Sequence, residues 1–239
     1  MSTNKVIQSL WIGNSLSTME KLCISSYIQN GHEFHLYKYN DIDGIPNGTI
    51  IKDANKIISS KDIFLDSRGG VASFSDWFRY KLLYDRGGWW VDMDTVCLKY
   101  FDINEEYAFS REGFNMEKGS VNNGFIKSPS KAEFLKDLLL IIEQKKNQKI
   151  IWGEFGPTLL RNVLQNYDSN MYIHPPEVFC PIYWTENYKL ISQQNFKFSD
   201  KTYAIHLWNE IWRLGCLNKD AIYHPDSIYE KLKFKYINL

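Results

Sequence analysis

A helical run broken by a glycine pair and resumed as a strand-like run bearing two aspartates constrains this chain more than any other feature. From about Ser73 to Arg86, Phe74, Trp77, Phe78 and Leu82 recur on one stripe, with Asp76, Arg79 and Leu83 on another side. Gly87-Gly88 closes the helix. Trp89-Trp90-Val91-Asp92-Met93-Asp94-Thr95 follows, and its bulky and β-branched residues favour a strand. A helix feeding directly into an apolar strand must bury both against further layers, which points to an α/β architecture.

The flanking segments agree. Val6 to Ile12 reads as a strand ending at Gly13-Asn14. Ser17 with Glu20 makes a capping box ahead of helical spacing at Met19, Leu22, Cys23, Ile24 and Tyr27, and Gly31 closes that helix. Glu33 to Tyr37 reads as the next strand, and a helix of weaker pattern is expected between Ile50 and Ser60. Downstream, strands are expected at Tyr107 to Ser110 and Gly124 to Lys127, and helices at Ser130 to Lys145 and Pro157 to Tyr167. Short strands at Val178 to Pro181 and Tyr203 to Leu207 and a closing helix at Ser227 to Phe234 complete the reading. The 239 residues show no repeat and no low-complexity linker, so one domain is expected.

Composition narrows the function classes. Lys plus Arg and Asp plus Glu are both 28, a balance that argues against a dedicated nucleic-acid binder. Eight Trp, fifteen Tyr and fourteen Phe exclude a disordered chain. Cys23, Cys97, Cys180 and Cys216 are spaced too widely for a thiolate metal site and read as buried apolar residues in a reducing compartment. No secretory leader pattern and no run of eighteen apolar residues occurs, so a cytoplasmic protein is expected. The aromatic and basic residues between Tyr229 and Tyr236 leave open a peripheral contact at the inner face of the cell membrane.

An Asp-x-Asp triplet alone is weak evidence, because Asp41-Ile42-Asp43 is a second one in a Gly/Pro/Asn-rich loop where Asp serves turns. Asp92 and Asp94 differ in context. In a strand, residues two apart share a face about 6.6 Å apart along the chain, so both carboxylates would point into one space. Two anions in apolar surroundings call for a cation, and Mg²⁺ or Mn²⁺ suits oxygen ligands and substrate phosphates. On spacing alone, a strand end with its aspartates in water explains the pair equally well. Asp76 and Arg79, three apart, are neighbours on one helix face. Arg79 could hold a phosphate or carboxylate bidentately, and Asp76 could accept from a hydroxyl.

The segment Asp76-Trp77-Phe78-Arg79-Tyr80-Lys81-Leu82-Leu83-Tyr84-Asp85-Arg86-Gly87-Gly88-Trp89-Trp90-Val91-Asp92-Met93-Asp94 resembles the sugar-binding region containing a DXD motif of glycosyltransferase family 32. That family includes capsular polysaccharide and lipopolysaccharide sugar transferases. The segment is also similar to the catalytic core of large clostridial glucosylating toxins and to α-1,4-galactosyltransferases. Leu10-Trp11-Ile12-Gly13, Trp152-Gly153-Glu154-Phe155-Gly156-Pro157 and Ala204-Ile205-His206-Leu207-Trp208-Asn209 are similar to further family elements, so the likeness spans roughly residues 6–210. Glu154-Phe155 departs from many relatives.

The resemblance implies a GT-A fold, a Rossmann-like mixed central sheet flanked by helices. It would form a single catalytic domain over 1–239, with a nucleotide-binding half at about 1–110 and a donor-sugar and acceptor half at about 111–239. It implies a retaining transferase, bacterial and assisted by Mn²⁺ or Mg²⁺. The donor would be a nucleotide diphosphate sugar, with a UDP-linked hexose or N-acetylhexosamine favoured. The acceptor would be a surface glycan or a lipid-linked glycan. Asp94 would hold the metal, Asp92 would contact ribose or a metal-bound water, and His206 is the candidate late ligand. Trp11, flanked by Ile12 and Gly13, would stack on the base, and Tyr80 and Met93 lie within the donor-binding stretch. Trp208 and Asn209 would offer N–H donors to the phosphates, and Asn123 would bind a sugar hydroxyl. Glu154 could be structural, touch the sugar or bind the acceptor. Taken without the family, Trp11 at a strand end reads as core before it reads as a base platform, and His206 fits a satisfied core histidine as well as a ligand. Two other functions compete: a metal-dependent phosphoesterase or nucleotidyltransferase, and a non-catalytic carbohydrate-binding protein on the same scaffold. The identity of the sugar, the acceptor and the oligomeric state are not legible.

Overall fold

The computed structural model describes residues 4–113 and 121–237. Chain order opens with β1 (Val6–Trp11), α1 (Thr18–Gln29), β2 (Glu33–Lys38), β3 (Ile50–Asp53), α2 (Ala72–Arg86), β4 (Gly88–Val91) and β5 (Thr95–Cys97). It continues through β6 (Ala108–Arg111), β7 (Val121–Ser128), α3 (Glu133–Lys145), α4 (Pro157–Leu164), β8 (Ile173–His174) and α5 (Pro176–Phe179). It closes with α6 (Lys189–Ser192), β9 (Ala204–His206), α7 (Asn209–Leu214) and α8 (Ile228–Tyr236). Seven strands form one sheet in the order β3-β2-β1-β4-β7-β6-β8, and β5 pairs with β9 in a separate ribbon. Strands β1 to β4 run parallel, while β7 runs antiparallel to both β4 and β6. The class is the expected one, a mixed central sheet flanked by helices.

Two cores sandwich the sheet. On one face α2, α3 and α4 bury Phe74, Phe78, Leu82, Leu135, Leu138 and Leu160 against Leu10, Trp90 and Ile126. On the other face Cys23, Ile24 and Tyr27 of α1 meet Ile7, Phe34, Trp89 and Phe125. Alternation along β1 and β4 thus sends neighbouring side chains into different cores, as the two-residue strand period demands. A third cluster, around Leu22, Trp212, Tyr229 and Leu232, seats α7 and α8 against α1. The capping box at α1 is present, with Ser17 and Glu20 making reciprocal bonds. No described helix is long and apolar enough to cross a membrane.

The helix-to-strand junction works as the glycine pair suggests. Gly87 and Gly88 adopt φ of +66° and +91°, values that side-chain-bearing residues rarely tolerate. A Cβ on Gly87 would also lie 2.6 Å from the Ser130 nitrogen. The chain therefore reverses from α2 into β4 with no intervening loop.

Four expectations are corrected. Residues 50–60 hold β3, paired with β2 from His35–Ile50 to Lys38–Asp53, and then a single 3₁₀ turn at Ala54–Lys56 capped by Asp53. Pairing of the β-branched Ile50-Ile51 with the sheet edge prevails over a weak helical pattern. Pro176 starts a turn of helix, α5, where a strand at 178–181 was expected, because its fixed φ suits the first helical position. The strand expected from Gly124 to Lys127 starts earlier, at Val121, so Asn122 and Asn123 lie inside β7; the β6–β7 register shifts between Phe109 and Ser110. Strand β4 ends at Val91, so Asp92 and Asp94 sit on the turn just beyond it.

Candidate active site

The turn after β4 brings the two aspartates together by reversal and not by strand alternation. The Asp92 N–H still donates to Gly124 O at 2.9 Å, which ties the start of the turn to β7. Ribbon β5–β9 then carries the chain beside His206, with Thr95 opposite it in register. Ligand atoms of Asp92, Asp94 and His206 all lie within 4.8 Å of one another. Two hard carboxylates and one imidazole form a donor set that suits Mn²⁺ or Mg²⁺.

Each carboxylate is oriented by protein donors. Arg79 reaches from α2 with Nη1 2.9 Å from Asp92 Oδ1 and Nη2 3.1 Å from Asp76 Oδ1. Its Nη1 also donates to Asn123 O at 2.7 Å. The Trp90 indole N–H donates to Asp92 Oδ1 at 2.9 Å, and the Arg79 guanidinium lies 5.0 Å from the Trp90 ring centroid. Asp94 Oδ2 accepts the Asn209 backbone N–H at 2.7 Å and sits 3.2 Å from His206 Nε2. Asn123 Nδ2 donates to Asp76 Oδ1 at 2.8 Å. Two acids and one buried guanidinium thus form a single paired unit, without which their burial would be costly.

Burial pushes the Asp76 carboxyl up to about 6, against the pull of Arg79. Asp94 moves the other way: burial raises it, but His206 and the Asn209 N–H outweigh that and hold it below its ordinary value. Burial disfavours the charged His206 ring, yet the Asp94 carboxylate raises the imidazole well above its ordinary value. A cation between these groups would take over the role that the His206 proton plays toward Asp94.

The cluster opens onto a cavity of about 540 Å³, a size suited to small-molecule ligands. Trp11, Ile12, Arg79, Met93, Asp92, Asp94 and Asn209 line it. The Trp11 ring is fixed by its N–H to Ser15 O at 3.1 Å, and Gly13 leaves room for it, since a Cβ there would stand 3.0 Å from the indole nitrogen. Other sequence-predicted residues lie elsewhere. Tyr80 is buried, and its hydroxyl donates to Phe155 O at 3.0 Å, tying the 153–156 loop to α2. Trp208 gives its indole N–H to Ile182 O at 2.8 Å and stacks on His206 at 3.9 Å, so the ring covers the imidazole and its N–H is not aimed at a phosphate. Glu154 binds Lys145 at 2.8 Å and the Ile151 N–H at 3.1 Å and does not line the cavity.

Among the groups at the cavity that sequence reasoning missed are Trp90, Arg68 and Ser75. Trp90 was legible in principle, being two residues from Asp92 with an indole donor. Arg68, stacked 3.8 Å over the Trp152 ring and paired with Glu210 at 2.8 Å, joins distant segments that no local pattern connects. Ser75 meets Arg79 Nη2 at 3.4 Å, one turn before it on α2.

The family described as "Glycosyltransferase sugar-binding region containing DXD motif" matches residues 23–110. The family described as "Alpha 1,4-glycosyltransferase conserved region" matches residues 130–236. No curated protein matches the chain. Among solved structures, the "PaToxG Glycosyltransferase" aligns with a TM-score of 0.52 at 19% identity, covering 70% of each chain. A transferase carrying two Cys-to-Ser substitutions aligns with a TM-score of 0.44 at 12% identity, covering 71% of this chain and 86% of that one. Sheet order, the acidic turn after β4 and the two family matches together make this chain a GT-A-like glycosyltransferase domain with a DXD motif.

Proposed function

We propose that this protein is a retaining glycosyltransferase that moves a hexose or N-acetylhexosamine from a UDP-linked donor to a hydroxyl of a glycan or lipid-linked glycan. The observation that carries the reading is the convergence of Asp92, Asp94 and His206 within 4.8 Å at the edge of a cavity that Trp11 also lines. Mn²⁺ or Mg²⁺ held there would offset the charge that develops on the diphosphate as the glycosidic bond breaks.

The protein's own groups prepare the rest. Trp11 offers a broad apolar ring to the nucleotide base. Arg79 and Trp90 fix the rotamer of Asp92, while the Asn209 N–H fixes Asp94. Asp76 Oδ2 accepts from a donor-sugar hydroxyl, and Gly156 keeps the space beside it open, because a Cβ at 156 would stand 3.2 Å from that oxygen. Asn123 acts through Asp76, to which its amide is committed. Glu154 serves the loop that presents Trp152. Retention proceeds by front-face attack, in which the departing phosphate oxygen takes the acceptor proton. This suits a site whose acids are already paired with Arg79 and are poorly placed to act as nucleophiles.

The test is a panel of UDP-galactose, UDP-N-acetylgalactosamine, UDP-glucose, UDP-N-acetylglucosamine and GDP-mannose with Mn²⁺, reading nucleotide release with and without metal. One UDP-sugar should be consumed selectively, and Asp94→Ala should lower the rate by more than the ~100-fold typical of losing a partner that merely supports a ligand. Turnover unchanged by Asp94→Ala would remove the metal role, and silence toward every donor would remove the function.

A further inference from the structure

A second cavity lies on the α2 face of the sheet at the opposite end of β4. Its volume is about 690 Å³, and Gly87 and Gly88 contribute to its wall. Asp92 lies four positions beyond Gly88, so the two sites stand on the order of 13 Å apart along the strand.

Its lining is cationic. Lys52, Lys56 and Arg86 all border this cavity, and among the described residues their side chains have no ion-pair or hydrogen-bond partner. Nearby lysines are neutralised: Lys5 by Glu33 at 2.5 Å and Lys38 by Asp41 at 2.9 Å. Asp53 is the acid in the lining, and its Oδ1 is already taken by the backbone and side-chain N–H groups of Asn55. Glu33 also stands 3.8 Å from His35, a further lining residue. The floor is polar and fixed. Gln8, 4% exposed, donates to Gly87 O at 2.9 Å, and the Tyr37 hydroxyl lies 3.5 Å from Gln8 Oε1. Register across β1, β2 and β3 sets Gln8 beside His35 and Tyr37 beside Lys52, so one sheet face carries the group.

We propose that this cavity binds a phosphate group, borne by a small phosphorylated molecule or by a lipid headgroup. Three cations against the single acid Asp53 leave the hollow with a net positive charge, and the like charges repel one another until an anion enters. Arg86 supplies a planar fork that matches phosphate oxygens, and the two lysines supply mobile point charges. The hollow is larger than inorganic phosphate and leaves room for the group that carries it. The donor cleft handles phosphates through its acidic cluster and a metal, whereas this site would need none.

The measurement is titration of the full chain with inorganic phosphate in EDTA, followed by ³¹P line broadening. It would be run on wild type, on Asp94→Ala and on the triple variant Lys52→Gln, Lys56→Gln, Arg86→Gln. Sedimentation with phosphatidylglycerol and phosphatidylcholine vesicles forms the second arm. Wild type and Asp94→Ala should bind alike, and the triple variant at least tenfold more weakly, with its circular dichroism and metal-dependent nucleotide release unchanged. Saturation by phosphate without vesicle binding identifies a soluble phosphate ester. Selective loss of phosphatidylglycerol binding in the triple variant identifies the headgroup. The proposal falls if wild type binds neither probe, or if the triple variant binds within twofold of wild type.

Discussion

The first hundred residues and the last sixty build the same acidic cluster in opposite ways. In the first region Asp76, Arg79, Trp90 and Asp92 come from one continuous stretch, α2 into β4, and are held by ion pairs and hydrogen bonds among themselves. In the last region His206 and Asn209 reach Asp94 only because ribbon β5–β9 and the α7 junction lay a distant segment alongside it. A site assembled within one segment is part of the fold's stability. A site completed from afar adds affinity for what binds there and contributes less to folding.

This contrast can be broken by substitution. The largest stability effect is expected for Arg79→Ala, which strands the buried Asp76 carboxylate and removes the partner of the half-buried Asp92. Unfolding free energy should fall by about 3–5 kcal/mol in denaturant titration. A loss below about 1 kcal/mol would show that the α2–β4 unit is not held by its charges.

The next effect is a pH response within the first region. His32 is buried; its Nδ1 bonds to Asn4 O at 2.9 Å and its Nε2 accepts the Phe101 N–H at 3.1 Å. Burial lowers its pKa from 6.5 to about 4. Between those values the unfolded chain takes up a proton that the native ring refuses. Stability is therefore full above about pH 6.5 and declines as pH falls toward 4, with a total loss of about 3 kcal/mol from this group. Equilibrium unfolding of wild type and His32→Gln across that range checks this, since the variant should lose that part of the slope.

His206→Ala sharpens the comparison from the other side. Metal affinity should weaken by about 10- to 100-fold, read by titrating nucleotide release with Mn²⁺. The cost in stability should stay below that of Arg79→Ala; an equal cost would erase the distinction between the two regions. The smallest effect belongs to Ser17→Ala, which removes the α1 cap. It should cost about 1 kcal/mol without altering the metal titration.

Legibility in the sequence follows the same division. Elements of the first region were readable because capping, periodicity and glycine placement act over a few residues, as at Ser17, Gly31 and Gly87-Gly88. The exception was set from outside the segment: residues 50–53 become a strand because β2 offers an edge. In the acidic site the residue types and the motif were readable, but their geometry was not. The turn after Val91 and the loss of the Trp208 N–H to Ile182 O depend on partners outside the local segment, and the commitment of Arg79 to two carboxylates depends on how the reversal at Gly87-Gly88 lays Asp92 beside α2. Glu154 drew notice from its place in a motif, while Trp152 two residues earlier lines the cavity.

Trp208 holds φ of +61°, a left-handed conformation that glycine would adopt freely. Replacing it with glycine would ease the backbone and at the same moment bare the imidazole beneath it. Relief of about 1–2 kcal/mol of strain falls short of the about 3–5 kcal/mol lost when a large aromatic ring leaves a core, so packing of the Trp208 indole over His206 holds the backbone in a conformation it would otherwise abandon.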